Sequence, residues 1–186
     1  MEIQKTGQAL ATTTLNGWLE RCQTPMEAVK SLRDVKSIDD SIAARTPQMS
    51  LIKRVKGEKY VLGHLKLWII YLQGNLNVKN KLTEDMIDLA AQTILDDFWW
   101  ITISDIKTIV TDALMGRYGD FYESLSIPKL ISWFDSYSKM KFARFSEGAM
   151  SDHGYTKNDE AGWRERTRNH LTDKDLNEID KWVKEK

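Results

Sequence analysis

Cysteine, proline and histidine are scarce in this chain, and each scarcity removes a class of protein. One cysteine in 186 residues, Cys22, cannot close an internal disulfide, which sets aside stapled extracellular scaffolds and fits a reducing cytoplasm. The three histidines, His64, His153 and His170, stand far apart, and Val61, Met150 and Thr167 occupy the places where a di-iron helical bundle needs glutamate. With one thiol there is no tetrahedral zinc set. Also missing are a Walker loop, a glycine-rich dinucleotide turn, a nucleophile elbow and a kinase signature. The chain is therefore read as non-enzymatic, with no cofactor, no metal and no catalytic residue expected. Its longest strongly apolar run, residues 67–72, falls far short of the roughly 20 residues that cross a bilayer, so no membrane partner is expected. Excess charge is missing too. Twenty-seven Lys and Arg balance 27 Asp and Glu, so any nucleic-acid contact must be local.

What is present is helical periodicity. The only prolines are 25, 47 and 128, and apolar residues recur at three- and four-residue spacing through most of the first 146 positions, which predicts an all-α bundle. Short helices are predicted around Leu15 to Cys22, Met26 to Leu32 and Ile38 to Ala43, the last capped by Ser37, and around Met49 to Lys56. The strongest runs from about 58 to 75. Its apolar residues cover most of the circumference, so it is expected to be the central helix, buried on several sides. Thr83 caps the next, with Glu84 and Asp85 at its positive end and Met86, Ile87, Ala90, Ala91, Ile94, Leu95 and Phe98 inward. Thr102 to Asp105 reads as a capping box opening a helix that Gly116 stops. Gly116, Tyr118, Gly119 and Tyr122 form the expected interhelical turn, both glycines at positive φ so that the tyrosines can pack. The last core helix starts at Ser126 and Pro128 and faces Leu130, Ile131, Trp133, Phe134 and Tyr137 inward.

From Gly148 the composition turns polar and glycine-containing. The expected organisation is a bundle over 1–147, then a linker and a short amphipathic helix within 148–186. Leu176, Ile179, Trp182 and Val183 stripe that helix, which is too short to stand alone in water. They are the candidate partner-binding residues, by helix-in-groove docking or by docking on the chain's own bundle.

Charge is segregated along the chain. Residues 1–81 carry 13 basic and 7 acidic side chains, a balance of +6, whereas 82–126 carry 2 and 9, a balance of −7. Either the halves complement each other within one bundle or at a homotypic contact that makes a homo-oligomer, or a basic face and an acidic face orient the molecule between a polyanion and a basic protein partner. Helices over 83–98 and 104–115 outline a helix-turn-helix, but the second presents Asp105 and Asp112 and no arginine to a DNA backbone. The nucleic-acid candidates lie elsewhere. Lys53, Arg54, Lys56 and Lys59 form one cluster; Lys139, Lys141 and Arg144 interleaved with Phe142 and Phe145 form a second, suited to single strands, though a solvated helix end accounts for it too.

Residues 83–145 run from an acidic helix beginning Thr83-Glu84-Asp85, through Ile101-Thr102-Ile103-Ser104-Asp105-Ile106 and Gly116-Arg117-Tyr118-Gly119-Asp120-Phe121-Tyr122, to Trp133 and Tyr137. This order resembles small helical proteins of Bacteroidales phages and mobile elements and, more loosely, phage replicative helicase loaders. The resemblance implies a non-catalytic replication accessory protein: a helical body with a C-terminal part that engages a replication protein. Inhibition of a host defence or replication enzyme, and single-strand binding, are the alternative functions.

Overall fold

The computed structural model describes residues 15–119 and 124–158 and is all-helical, with no β-strand among the described residues. Eight helices follow in order: α1 over 15–21, α2 (Pro25–Ser31), α3 (Ile38–Ala43), α4 (Met49–Lys56), α5 (Glu58–Asn75), α6 (Glu84–Asp97), α7 (Ile103–Leu114) and α8 (Ile127–Asn158). Short polar signals start most of them. Thr24, Ser37 and Thr102 each close a capping box with the acidic residue three positions on (Glu27, Asp40, Asp105), and the Thr83 hydroxyl accepts the Met86 N–H. Pro25 fills the first position of α2, where a missing N–H costs nothing.

The core sits around α5 and α7. α5 packs on α2, α4, α6 and α7, and buries Val61, His64, Leu65, Trp68, Ile69 and Leu72. Its burial is one-sided, contrary to expectation: Leu67 and Ile70 are exposed, on the same side as the exposed glycines 63 and 74. The helix enclosed on nearly every side is α7. Nine of its 12 residues are buried, among them the polar Ser104, Asp105, Lys107 and Thr108. A helix so enclosed cannot enter a DNA groove, so the helix-turn-helix outline is packing geometry only.

The start of α4 is clipped to the α6–α7 connection by backbone bonds, Met49 N–H to Ile101 C=O (2.8 Å) and Ser50 N–H to Trp99 C=O (2.9 Å). After α7 the chain turns through Gly116 and Gly119, with φ of +74° and +93°. Those are left-handed values that side chains with a Cβ resist. The turn lets Tyr118 stack on Trp133 of α8, ring centroids 5.8 Å apart, while Tyr122 lies outside the described residues.

α8 continues to Asn158, through Gly148 and Gly154, where a linker is expected. No proline follows Pro128, and polar residues serve a solvated helix as well as a coil, so composition alone could not separate the two. The chain divides into two compact units, Met1–Lys141 and Phe142–Lys186. No helix among the described residues is long and apolar enough to cross a membrane.

Candidate functional site

The densest gathering of reactive side chains is buried between α3, α7 and α8. Its centre is Asp105, the third residue of α7, with no exposed surface. One carboxylate oxygen, Oδ1, accepts the Ser41 hydroxyl (2.6 Å) and the Tyr137 hydroxyl (2.6 Å). The other, Oδ2, accepts the Lys141 ammonium (2.6 Å) and the Thr102 N–H (2.9 Å). A ring of small hydroxyls extends the cluster: Ser104 Oγ lies 2.8 Å from Ser41 Oγ and 2.7 Å from Thr46 Oγ1. Lys141, 5.5 Å from the centroid of the Trp100 ring, arrives one helical turn after Tyr137, so the two reach the same carboxylate from one face of α8.

Burial pushes the Asp105 carboxyl upward, but the Lys141 charge and the bonds from Lys141, Ser41 and Tyr137 outweigh it and hold the group below its ordinary range. Burial, the Asp105 charge and the bond to it drive the Tyr137 phenol well up. A serine, a tyrosine and a lysine around one carboxylate invite a catalytic reading. The geometry gives them another job. Each Asp105 oxygen already has two donors, the carboxylate is held ionised by the Lys141 ammonium, and Ser41, Asp105, Tyr137 and Lys141 are all buried away from solvent. The cluster clamps three helices together. Lys107, also in α7, adds a fourth tie by donating to the Val35 carbonyl, at the cost of an ammonium whose pKa burial lowers.

His64 is a core histidine. It is buried, its Nε2 accepts the Trp68 indole N–H at 3.1 Å, and burial pushes its pKa down to about 4. Cys22 is buried and free, its thiol raised by burial. Among the described residues no three His, Cys, Asp or Glu side chains gather as a metal site would need.

The sequence-predicted sites fare differently. Lys141 is removed from the single-strand platform: it is buried and ion-paired with Asp105, because the low-dielectric interior holds that carboxylate only with a counter-charge. Lys139 pairs with Asp135 (2.8 Å) and Arg144 approaches Glu147 (3.4 Å), while Phe142 and Phe145 are exposed. Lys53, Arg54 and Lys56 do come together, at the corner where α4 meets α5 at Gly57. Beside that corner a cleft of about 580 Å³ is lined by Asn16, Leu19, Glu20, Gln23, Lys56 and Tyr60. Leu176, Ile179, Trp182 and Val183 lie outside the described residues.

Sequence reasoning missed the Asp105 cluster and the open side of α5. Tyr137 and Lys141, four apart on a core helix, could have signalled the first. The second had a weaker trace: Gly63, Leu67, Ile70 and Gly74 repeat at helical spacing on one side. Compared with known proteins, the chain matches no family, no curated protein and no solved structure at a significant level.

Proposed function

We propose that the chain is a non-enzymatic protein-interaction factor, of the phage or mobile-element replication accessory kind that its 83–145 segment resembles, acting on a replication protein. One observation carries the interaction reading: Leu67 and Ile70 stand 43% and 49% exposed in the middle of the longest core helix of the first unit. Their neighbours on that side, Gly63 and Gly74, leave open space where a Cβ would stand. A flat apolar strip bordered by glycines admits a partner helix at close range. The Lys66–Asp88 pair (2.6 Å) adds a polar element between α5 and α6 beside it.

The test is binding of the purified chain to a replicative helicase of a Bacteroidales host, with Leu67→Ser/Ile70→Ser as the comparison. A complex is expected, weakened about tenfold or more by the double variant, since each half-exposed side chain contributes on the order of 1 kcal/mol when covered. The variant's melting should stay within a few degrees of the parent's. No complex at micromolar concentration refutes the replication reading, and an unweakened complex refutes the strip.

A further inference from the structure

Two other apolar spots on the first unit are flanked by charge mostly of one sign, Glu58 and Glu20 being the acidic residues at the first. At the α4–α5 corner, Val55 and Tyr60 are exposed beside Lys53, Arg54, Lys56 and Lys59. On α6, Met86 and Leu89 are exposed on a helix that carries five carboxylates, Glu84, Asp85, Asp88, Asp96 and Asp97, and no cation. Lys53 pairs with Glu58 (3.0 Å) and Asp88 with Lys66. Among the described residues the remaining charges form no ion pair.

Helix electrostatics explains part of this arrangement and leaves a remainder. Glu84 and Asp85 suit the positive end of α6, and the cations of the last turn of α4 suit its negative end. Asp96, bonded by the Gln92 amide, and Asp97 do not: they crowd the last turn of α6, where the carbonyl ends already carry negative charge and no basic residue stands. Lys59 is misplaced likewise, in the first turn of α5. Charges that cost their own helices stability, flanking exposed apolar side chains, are what an interface leaves behind.

We infer that the chain self-associates, seating the basic Val55 and Tyr60 corner of one copy on the acidic Met86 and Leu89 face of α6 in another. The occupant is a second copy because one chain carries both halves, apolar centre for apolar centre and cation for carboxylate. Two unlike patches make a heterologous contact, which closes into a ring where the rotation between copies closes and otherwise grows. This surface shares no exposed apolar residue with the Leu67 and Ile70 strip, so the two proposals can be tested apart.

Sedimentation velocity of the full chain tests it, from about 0.05 to about 0.5 M salt, a range over which exposed charges become largely screened. Two variants are compared: Arg54→Glu/Lys56→Glu/Lys59→Glu, and Asp85→Lys/Asp96→Lys/Asp97→Lys. The parent should associate at low salt and lose at least about tenfold in affinity at high salt, as several exposed ion pairs together allow. Each variant, its fold checked by circular dichroism, should be monomeric alone, and an equimolar mixture should associate again. A parent monomeric at about 100 μM in low salt overturns the inference. So does a variant that associates by itself, a mixture that does not, or a basic corner that binds an oligonucleotide while the chain stays monomeric.

Discussion

Replacing Lys141 by Met deletes one ammonium from the Asp105 clamp while keeping the length and much of the apolar volume of the side chain. Asp105 then keeps three donors, the Ser41 and Tyr137 hydroxyls and the Thr102 N–H, but no counter-charge, in a site with no exposed surface. Removing one partner of a buried ion pair costs about 3 to 5 kcal/mol. The three surviving hydrogen bonds place the expected loss at the low end, about 3 kcal/mol, a large share of a small domain's stability. The second variant, Asp105→Asn/Lys141→Met, removes both charges. It should recover much of that loss, short by roughly 1 kcal/mol, because an amide cannot accept at both oxygens and the capping box is weakened.

Denaturant unfolding followed by far-ultraviolet circular dichroism measures both values, with an unchanged m-value showing that the folded and unfolded ends are the same. The pH dependence supplies an independent check. In the parent, Asp105 titrates below its ordinary value of 3.8, so its contribution is fully present above that value and is lost as pH falls through the folded pKa. In Lys141→Met, burial without the ammonium raises the carboxyl, so that variant gains from protonation as pH drops. The gap between the two should therefore be widest near neutrality and narrow toward pH about 4. A Lys141→Met protein within about 1 kcal/mol of the parent at neutral pH refutes the clamp, as does a gap that ignores pH.

Gly116→Ala should cost about 1 to 2 kcal/mol from its φ of +74° alone, since nothing lies within 4 Å of the added Cβ. Gly63→Ala, helical and open, should instead gain up to about 1 kcal/mol, and equal melting of the two variants would refute the turn. His64 falls from an ordinary 6.5 to about 4 when buried, so the folded state resists protonating it: the parent should lose about 3 kcal/mol between pH 6.5 and 4. A His64→Gln protein, already less stable at neutral pH, should show a correspondingly shallower decline over the same window, and parallel pH profiles would show that His64 is not titrating there.

Much of the architecture was legible in the residues because helix signals are local. Ser37, Thr83 and Thr102 cap where polar side chains precede apolar periodicity, and Gly116 takes its positive φ where Leu114 ends α7. Burial was less legible, since periodicity says which side of a helix is apolar but not whether a neighbour covers it. Leu67, Ile70, Met86 and Val55 fit an inward stripe as well as Leu65 or Ile87 do, yet they are exposed. The converse error concerns α7, where Ser104, Asp105, Lys107 and Thr108 read as a solvated side but are enclosed. Thr108 bonds back to the Ser104 carbonyl, but bonds from the others run to Ser41, Thr46, Val35 and Lys141, all more than 30 positions away in the chain, beyond the reach of any local pattern.

These two kinds of misreading have opposite implications for function. Enclosing polar groups is tolerable only when they find partners, and in the Asp105 cluster each carboxylate oxygen takes two donors. Exposing large apolar groups on well-formed helices has no such internal compensation. Each of Leu67, Ile70, Leu89 and Val55 forgoes part of the roughly 1.5 to 3 kcal/mol that burial of its side chain would return. A scattering of single exposed apolar residues is ordinary, whereas Leu67 with Ile70, Met86 with Leu89, and Val55 with Tyr60 across the α4–α5 corner stand in pairs, and the proposed associations rest on those pairs. Among the described residues the Asp105 cluster ties α3, α7 and α8 together from inside, while large apolar side chains stand outward on α4, α5 and α6.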